Sequence, residues 1–193
     1  IDTADVYGPY TSEELVGRAL GDGYRERAVL STKVGLEISN AAPAAGTMPG
    51  LMKNGSPEHI RTSIDASLRR LRTDHVDLYI LHRVDPQVTL EDSWAAMAQT
   101  VHDGKARAIG LSEATVEQIE LAQSVHPVTA VQSDLTLWTR DRLSDVVPYC
   151  REHGMAFLPF SPLGRGFLTG RFTSFDQLPA DDMRRRLPRF QQD

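Results

Sequence analysis

The hexapeptide Asp77-Leu78-Tyr79-Ile80-Leu81-His82 decides how this chain is read. Val76 to Leu81 is short, apolar and rich in strand-favouring residues, with Asp74-His75 before it and Asp85-Pro86 after it. The pattern predicts a buried strand of a parallel sheet, too short for a core helix. It ends on an imidazole. In parallel α/β proteins the carboxyl ends of the strands form the working face, which makes His82 a site candidate. A satisfied, partly buried histidine is the plain alternative. Two more strand-like segments close on ionisable groups: Ala28-Val29-Leu30-Ser31-Thr32-Lys33, and the opening Ile1-Asp2-Thr3-Ala4 with its Asp2.

Outward from that strand, helices and strands alternate. Thr11 or Ser12 caps a helix ending at Gly21, with Leu15, Val16, Ala19 and Leu20 as its apolar face. Ser56-Pro57 starts a second helix whose Ile60, Ile64, Leu68 and Leu71 form a core stripe. Thr89 caps a third, with Trp94, Met97, Ala98 and Val101 inward, and Thr115 with Gln118 makes a capping box for a fourth. A weaker helix is predicted from about Ser144 to His153, and strands start near residues 28, 76, 107, 128 and 155. Residues 35–56, rich in Gly, Ala and Pro, predict a long functional loop.

Such β-α alternation implies a parallel sheet with right-handed crossovers. No G-x-G-x-x-G follows an early strand, as a doubly wound dinucleotide-binding sheet requires. Functional groups instead end nearly every strand. The fold expected is a (β/α)8 TIM barrel, incomplete in this chain at about six β-α units, with residues 1–193 as a single domain. A complete barrel takes roughly 200–250 residues or more, so a fragment is expected.

With 193 residues, 40% hydrophobic and 24% charged, the chain has a globular composition and length enough for a sizeable core. A net charge of -5 argues against a nucleic-acid surface. The single Cys150 excludes an internal disulfide, reads as a small buried hydrophobe and fits a reducing, cytoplasmic setting. No membrane span and no metal are expected, and a homo-oligomer is left open.

Asp2, Tyr7, Lys33 and His82 carry the chemistry. A phenol has a reference pKa of about 10, and bringing one to about 7 takes roughly 4 kcal/mol. A neighbouring ammonium such as Lys33 favours the phenolate, and a carboxylate such as Asp2 holds that ammonium in place. His82 can share the proton with a substrate oxygen. The alternative is an Asp2–Lys33 ion pair at a barrel rim beside a loop aromatic, Tyr7.

The ordered motifs I-D-T-A-D-V-Y-G, L-S-T-K-V, D-L-Y-I-L-H-R-V-D-P, I-G-L-S-E, A-V-Q and F-S-P-L-G-R-G-F-L-T-G resemble the aldo-keto reductase family over essentially the whole chain. The resemblance implies a barrel that binds NADPH and a catalytic tetrad of Asp2, Tyr7, Lys33 and His82. It implies that Ser112 and Gln132 hold the nicotinamide carboxamide. Phe160 stands where the family often has a stacking Tyr, keeping the π face without the hydroxyl. The resemblance also implies that Ser161, Leu163, Gly164, Arg165 and Gly166 belong to the loop that wraps the cofactor diphosphate.

That loop also has a physical logic of its own. Glycines at 164, 166 and 170 let backbone N–H groups approach an anion, and Arg165 adds charge. Glu113 stands where the family often has Asn; a carboxylate cannot donate an amide hydrogen bond, so it is left out of the cofactor set. NADPH over NADH comes from the resemblance alone, because the family's adenosine 2'-phosphate clamp falls beyond Asp193. Arg184, Arg185 and Arg186 form either a phosphate cluster or, preferred here, a solvated face.

The expected activity is NADPH-dependent reduction of aldehyde or ketone carbonyls, hydride from the nicotinamide and proton from Tyr7. The small-molecule substrate pocket is expected to draw on the 35–56 loop and Trp138. The alternatives are a non-catalytic regulatory subunit, resembling the channel-associated members of the family, and an inactive truncated product.

Overall fold

The computed structural model describes residues 1–39, 50–187 and 190. Strands β1 (Ser31–Val34), β4 (Val76–Leu81), β5 (Ala106–Ser112), β6 (Ala130–Asp134) and β7 (Ala156–Phe160) form one parallel sheet in that order. The expected strand at the amino end is present only as a parallel bridge between Asp2 and Ser31, fixed by Thr3 N–H to Ser31 O (3.0 Å) and Ser31 N–H to Ile1 O (2.8 Å). The described arc therefore holds five strands and a bridge, against the six units expected. Two short strands inside the predicted loop, β2 (Leu36–Ile38) and β3 (Leu51–Lys53), pair as an antiparallel hairpin. Residues 40–49 between them lie outside the described residues, as does part of the C-terminal tail.

Between the strands run α1 (Thr11–Ala19), α2 (Pro57–Leu71), α3 (Leu90–His102), α4 (Val116–Val125) and α5 (Val146–Glu152). Ser56 and Thr89 accept from His59 N–H and Asp92 N–H, and Thr115 with Gln118 completes the capping box. Ile60, Ile64, Leu71, Trp94 and Met97 are buried against the sheet. The Trp94 indole donates to His126 O at 2.8 Å, which satisfies its polar edge in the core. Cys150 is free and buried among apolar side chains, as expected of a small hydrophobe.

Helix α1 differs from its expected form. Its N-cap is Tyr10, in the left-handed region at φ 66°, and no side chain caps it. Thr11 Oγ1 donates to Gly8 O instead, and Ser12 Oγ pairs with Thr3 Oγ1. Leu15 and Ala19 face solvent, and the buried members of the helix are Glu13 and Gly17. Glu13 is fully buried, accepting from Thr32 Oγ1 (2.6 Å) and Arg70 Nε (2.6 Å). Gly17 lets α1 touch α2: a Cβ there meets Arg70 O, with Leu71 Cα at 2.9 Å. Val16 and Leu20 of the expected apolar face pack on the core, while one buried ion pair and one close backbone crossing take the places expected of Leu15 and Ala19.

Candidate active site

Strand register brings distant residues to one end of the sheet. Ser112 and Gln132 are directly paired, Lys33 pairs with Ile80 two residues before His82, and His82 N–H bonds Val34 O at 2.7 Å. Because side chains alternate along strands, Lys33, His82, Ser112 and Gln132 gather at the carboxyl end of the sheet. Over them lies a cleft of about 480 Å³ lined by Asp2, Tyr7, His82, Ser112, Gln132, Phe160, Ser161 and Arg165, together with Val6, Gly8, Leu36, Leu51 and Arg83. Eight of the residues singled out from sequence thus line one space.

Lys33 lies beneath this cleft, wholly buried. Its ammonium donates to Asp2 Oδ2 (2.7 Å) and Thr3 O (2.8 Å) and sits 4.9 Å from the Tyr7 ring centroid. Gln132 Nε2 donates to the same Asp2 oxygen at 3.3 Å. Tyr7 meets His82 edge-on, ring centroids 5.8 Å apart. Burial, with Arg83 and Lys33 adding repulsion, pushes the His82 imidazole down to about 3, so it is neutral near pH 7. Its Nδ1 is buried with no partner among the described residues.

The glycine loop is built differently from expectation. Gly164, Arg165 and Gly166 are consecutive left-handed residues at φ 59°, 55° and 91°, and Ser161 is another at φ 49°. Non-glycine residues in that region carry local strain of the kind that clusters at ligand sites. Yet Gly164 N–H bonds Ser161 O (2.8 Å) and Gly166 N–H bonds Leu163 O (3.1 Å), so those two amides are committed inside the loop. Charge toward the cleft comes from the Arg165 side chain. Leu163 is exposed, and it does not line the cleft; nor do Gly164 and Gly166.

Other expectations shift. Leu36 and Leu51 of the hairpin do line the cleft, but Trp138 does not. It packs 4.5 Å from Phe167 and 5.7 Å from Phe190 around a separate aromatic pocket of about 330 Å³. Arg184 pairs with Asp182 at 2.6 Å and donates to Arg165 O, and Arg185 donates to Leu178 O and Pro179 O. These two bind the loop to itself and form neither a free phosphate cluster nor a plain solvated face. The Arg186 side chain lies outside the described residues. Glu113, at φ 57°, accepts from Asp134 N–H at 2.8 Å, which gives its carboxylate a backbone role.

Arg83 and Asp5 were not anticipated from sequence. Arg83 directly follows His82, and a cation after an apolar strand was the available signal. Asp5 sits between Asp2 and Tyr7, nearly inaccessible; burial and the nearby Glu13 push its carboxyl up to about 7.

A parallel β-α sheet with an ionisable, strained cleft at its carboxyl ends defines the class: an α/β protein with its site where (β/α)8 barrels carry theirs. The chain belongs to the aldo/keto reductase family, whose sequence model matches residues 1–192. It is 42% identical over 190 residues to a Glycine max protein named Probable aldo-keto reductase 1, covering 98% of this chain and 53% of that protein. Among solved structures it superposes on a glycerol dehydrogenase from Gluconobacter oxydans at TM-score 0.87 and 35% identity, covering 100% of this chain and 57% of that one. It also superposes on an aldo-keto reductase from Klebsiella pneumoniae in complex with NADPH, at TM-score 0.70 and 28% identity, covering 86% and 53%. The chain spans about half the length of each.

Proposed function

We propose that the protein carrying this chain reduces aldehyde or ketone carbonyls to alcohols with NADPH, residues 1–193 belonging to one barrel domain that acts in the cytoplasm. The supporting observation is the meeting of Tyr7, His82 and the Asp2–Lys33 pair in one cleft. The residues present suit a nicotinamide nucleotide. Ser112 Oγ accepts from Arg83 and still has a hydroxyl hydrogen to give, and the Gln132 amide keeps its oxygen for a carboxamide. Phe160 offers an aromatic face on the cleft wall, and Arg165 a cation without an ion-pair partner among the described residues, in the strained Ser161–Gly166 loop.

When bound, the reduced nicotinamide supplies the hydride. Tyr7 gives its hydroxyl proton to the carbonyl oxygen, and the Lys33 ammonium, held by Asp2, offsets the negative charge left on the phenol. Neutral His82, as the tautomer with hydrogen on Nε2, would hydrogen-bond the same carbonyl oxygen without giving up that proton, fixing the substrate's orientation.

The test is turnover by the complete protein, saturated with NADPH, on a panel of aldehydes and quinones beside Tyr7→Phe. Turnover well above that variant is expected. Equal, background rates would end the reductase reading, and retained NADPH binding in that case would favour the regulatory-subunit reading.

A further inference from the structure

Arg83 has no part in the proton transfer above, yet its side chain is anchored inside the cleft. Its Nη1 donates to the His82 carbonyl at 2.5 Å and to Ser112 Oγ at 3.1 Å. Those bonds fix a planar fork whose remaining N–H groups have no partner among the described residues. No carboxylate among the described residues lies within ion-pair distance of it; Glu113, whose Oε1 accepts from Asp134 N–H, acts on it only at longer range. The side chain is half-buried in the cleft lining, with Arg165 as a neighbouring cation and Val6, Leu36 and Leu51 among the apolar residues of the same cleft. A partly desolvated guanidinium with N–H groups left unpartnered is costly, and its fork matches a carboxylate in two parallel hydrogen bonds.

We propose that Arg83 is a specificity-determining residue that grips a carboxylate on the carbonyl substrate, so that the cleft favours short aldehyde acids over neutral aldehydes. The proposal rests on the reductase reading. The carboxylate belongs to the substrate because Arg83 is fixed to the backbone of His82, beside the imidazole and Tyr7. The strained loop bearing Arg165 remains for a cofactor's phosphates.

The experiment compares succinic semialdehyde with butanal, its analogue bearing methyl in place of carboxylate, on the complete protein with NADPH. The wild type should favour the acid in kcat/KM by about tenfold or more, the scale of one charge-assisted hydrogen bond. Arg83→Gln should erase that preference mainly through KM, and Arg83→Lys should restore part of it. An unchanged ratio in Arg83→Gln overturns the proposal. So does an unchanged ratio with NADPH affinity weakened about tenfold, which would assign the fork to the cofactor.

A second readout needs no turnover. Succinate should raise the melting temperature of the wild type more than sodium chloride of equal ionic strength, and lose that effect in Arg83→Gln. No succinate-specific shift in the wild type overturns the proposal whether or not a variant folds. A shift in a protein that reduces neither aldehyde would support Arg83 while the reductase reading failed.

Discussion

Lys33 and Tyr7 meet through the face of the phenol ring: the ammonium lies 4.9 Å from the ring centroid while its hydrogen bonds go to Asp2 Oδ2 and Thr3 O. A fully buried ammonium is thereby paired with a carboxylate that is almost half exposed (44%). Its field reaches the phenol without a direct bond. Among the described residues the Tyr7 hydroxyl has no hydrogen-bond partner, which leaves it open to the cleft.

Lys33→Met separates a tuned site from a structural ion pair. Removing the ammonium should cut turnover per folded molecule by about 10²–10⁴, the usual contribution of assisted proton transfer. Stability should fall by about 3 kcal/mol or less, since the partner left behind is half in water. A pH–rate profile beside a thermal melt checks both. Near-normal turnover per folded molecule with a lowered melt would reject the catalytic role.

Phe160→Ala tests the aromatic wall. If the ring stacks on the nicotinamide, NADPH binding should weaken by roughly 0.5–1.5 kcal/mol beyond the lost area. Fluorescence titration measures it, and an unchanged affinity would make Phe160 a packing residue.

Gly17→Ala puts a methyl group where α1 crosses the backbone of α2 at Arg70 and Leu71. Backbone on the far side cannot swing away. Overpacking should cost about 1–3 kcal/mol, outweighing the roughly 1 kcal/mol that alanine gains as a helix former. Urea denaturation should show net destabilisation, and a stabilised variant would contradict the close crossing.

His82 sets one pH dependence of stability. Its folded value of about 3 lies below the ordinary 6.5, so the unfolded chain binds the extra proton between those limits. Stability from this group is complete above about pH 6.5 and is lost as pH falls toward 3, by roughly 4–5 kcal/mol at most. His82→Gln should flatten that part of the melting-temperature profile. A profile as steep as the wild type's would count against it.

Asp5 acts in the opposite direction. Its folded value of about 7 exceeds the ordinary 3.8, so the folded chain holds the extra proton and stability falls as pH rises from about 4 through 7. Asp5→Asn keeps an acceptor for Val6 N–H, which bonds Asp5 Oδ1 at 2.7 Å, and removes the titration. Its melting temperature relative to wild type should climb between pH 5 and pH 8. A constant difference would show that the carboxyl does not titrate there.

The sequence by itself determined the alternation of elements. Apolar runs such as Val76–Leu81, caps at Ser56, Thr89 and Thr115, and the stripe Ile60, Ile64, Leu71 are short-range patterns, and they fold as their local periodicity dictates. The positions of Lys33 and His82 were legible for the same reason, since each lies within a residue of the carboxyl end of its strand, whereas the strand expected at Asp2 is only a bridge. Tertiary structure alone decided what depends on residues far apart in the chain. Register put Gln132 on the carboxylate of Asp2, 130 positions away, and Ser112 on Arg83. An ion pair with Arg70 turned Glu13 inward and left Leu15 outside, because a buried charge with a partner outweighs one exposed leucine. Trp138 left the cleft for Phe167 and Phe190, a contact between three separated segments that no local pattern encodes.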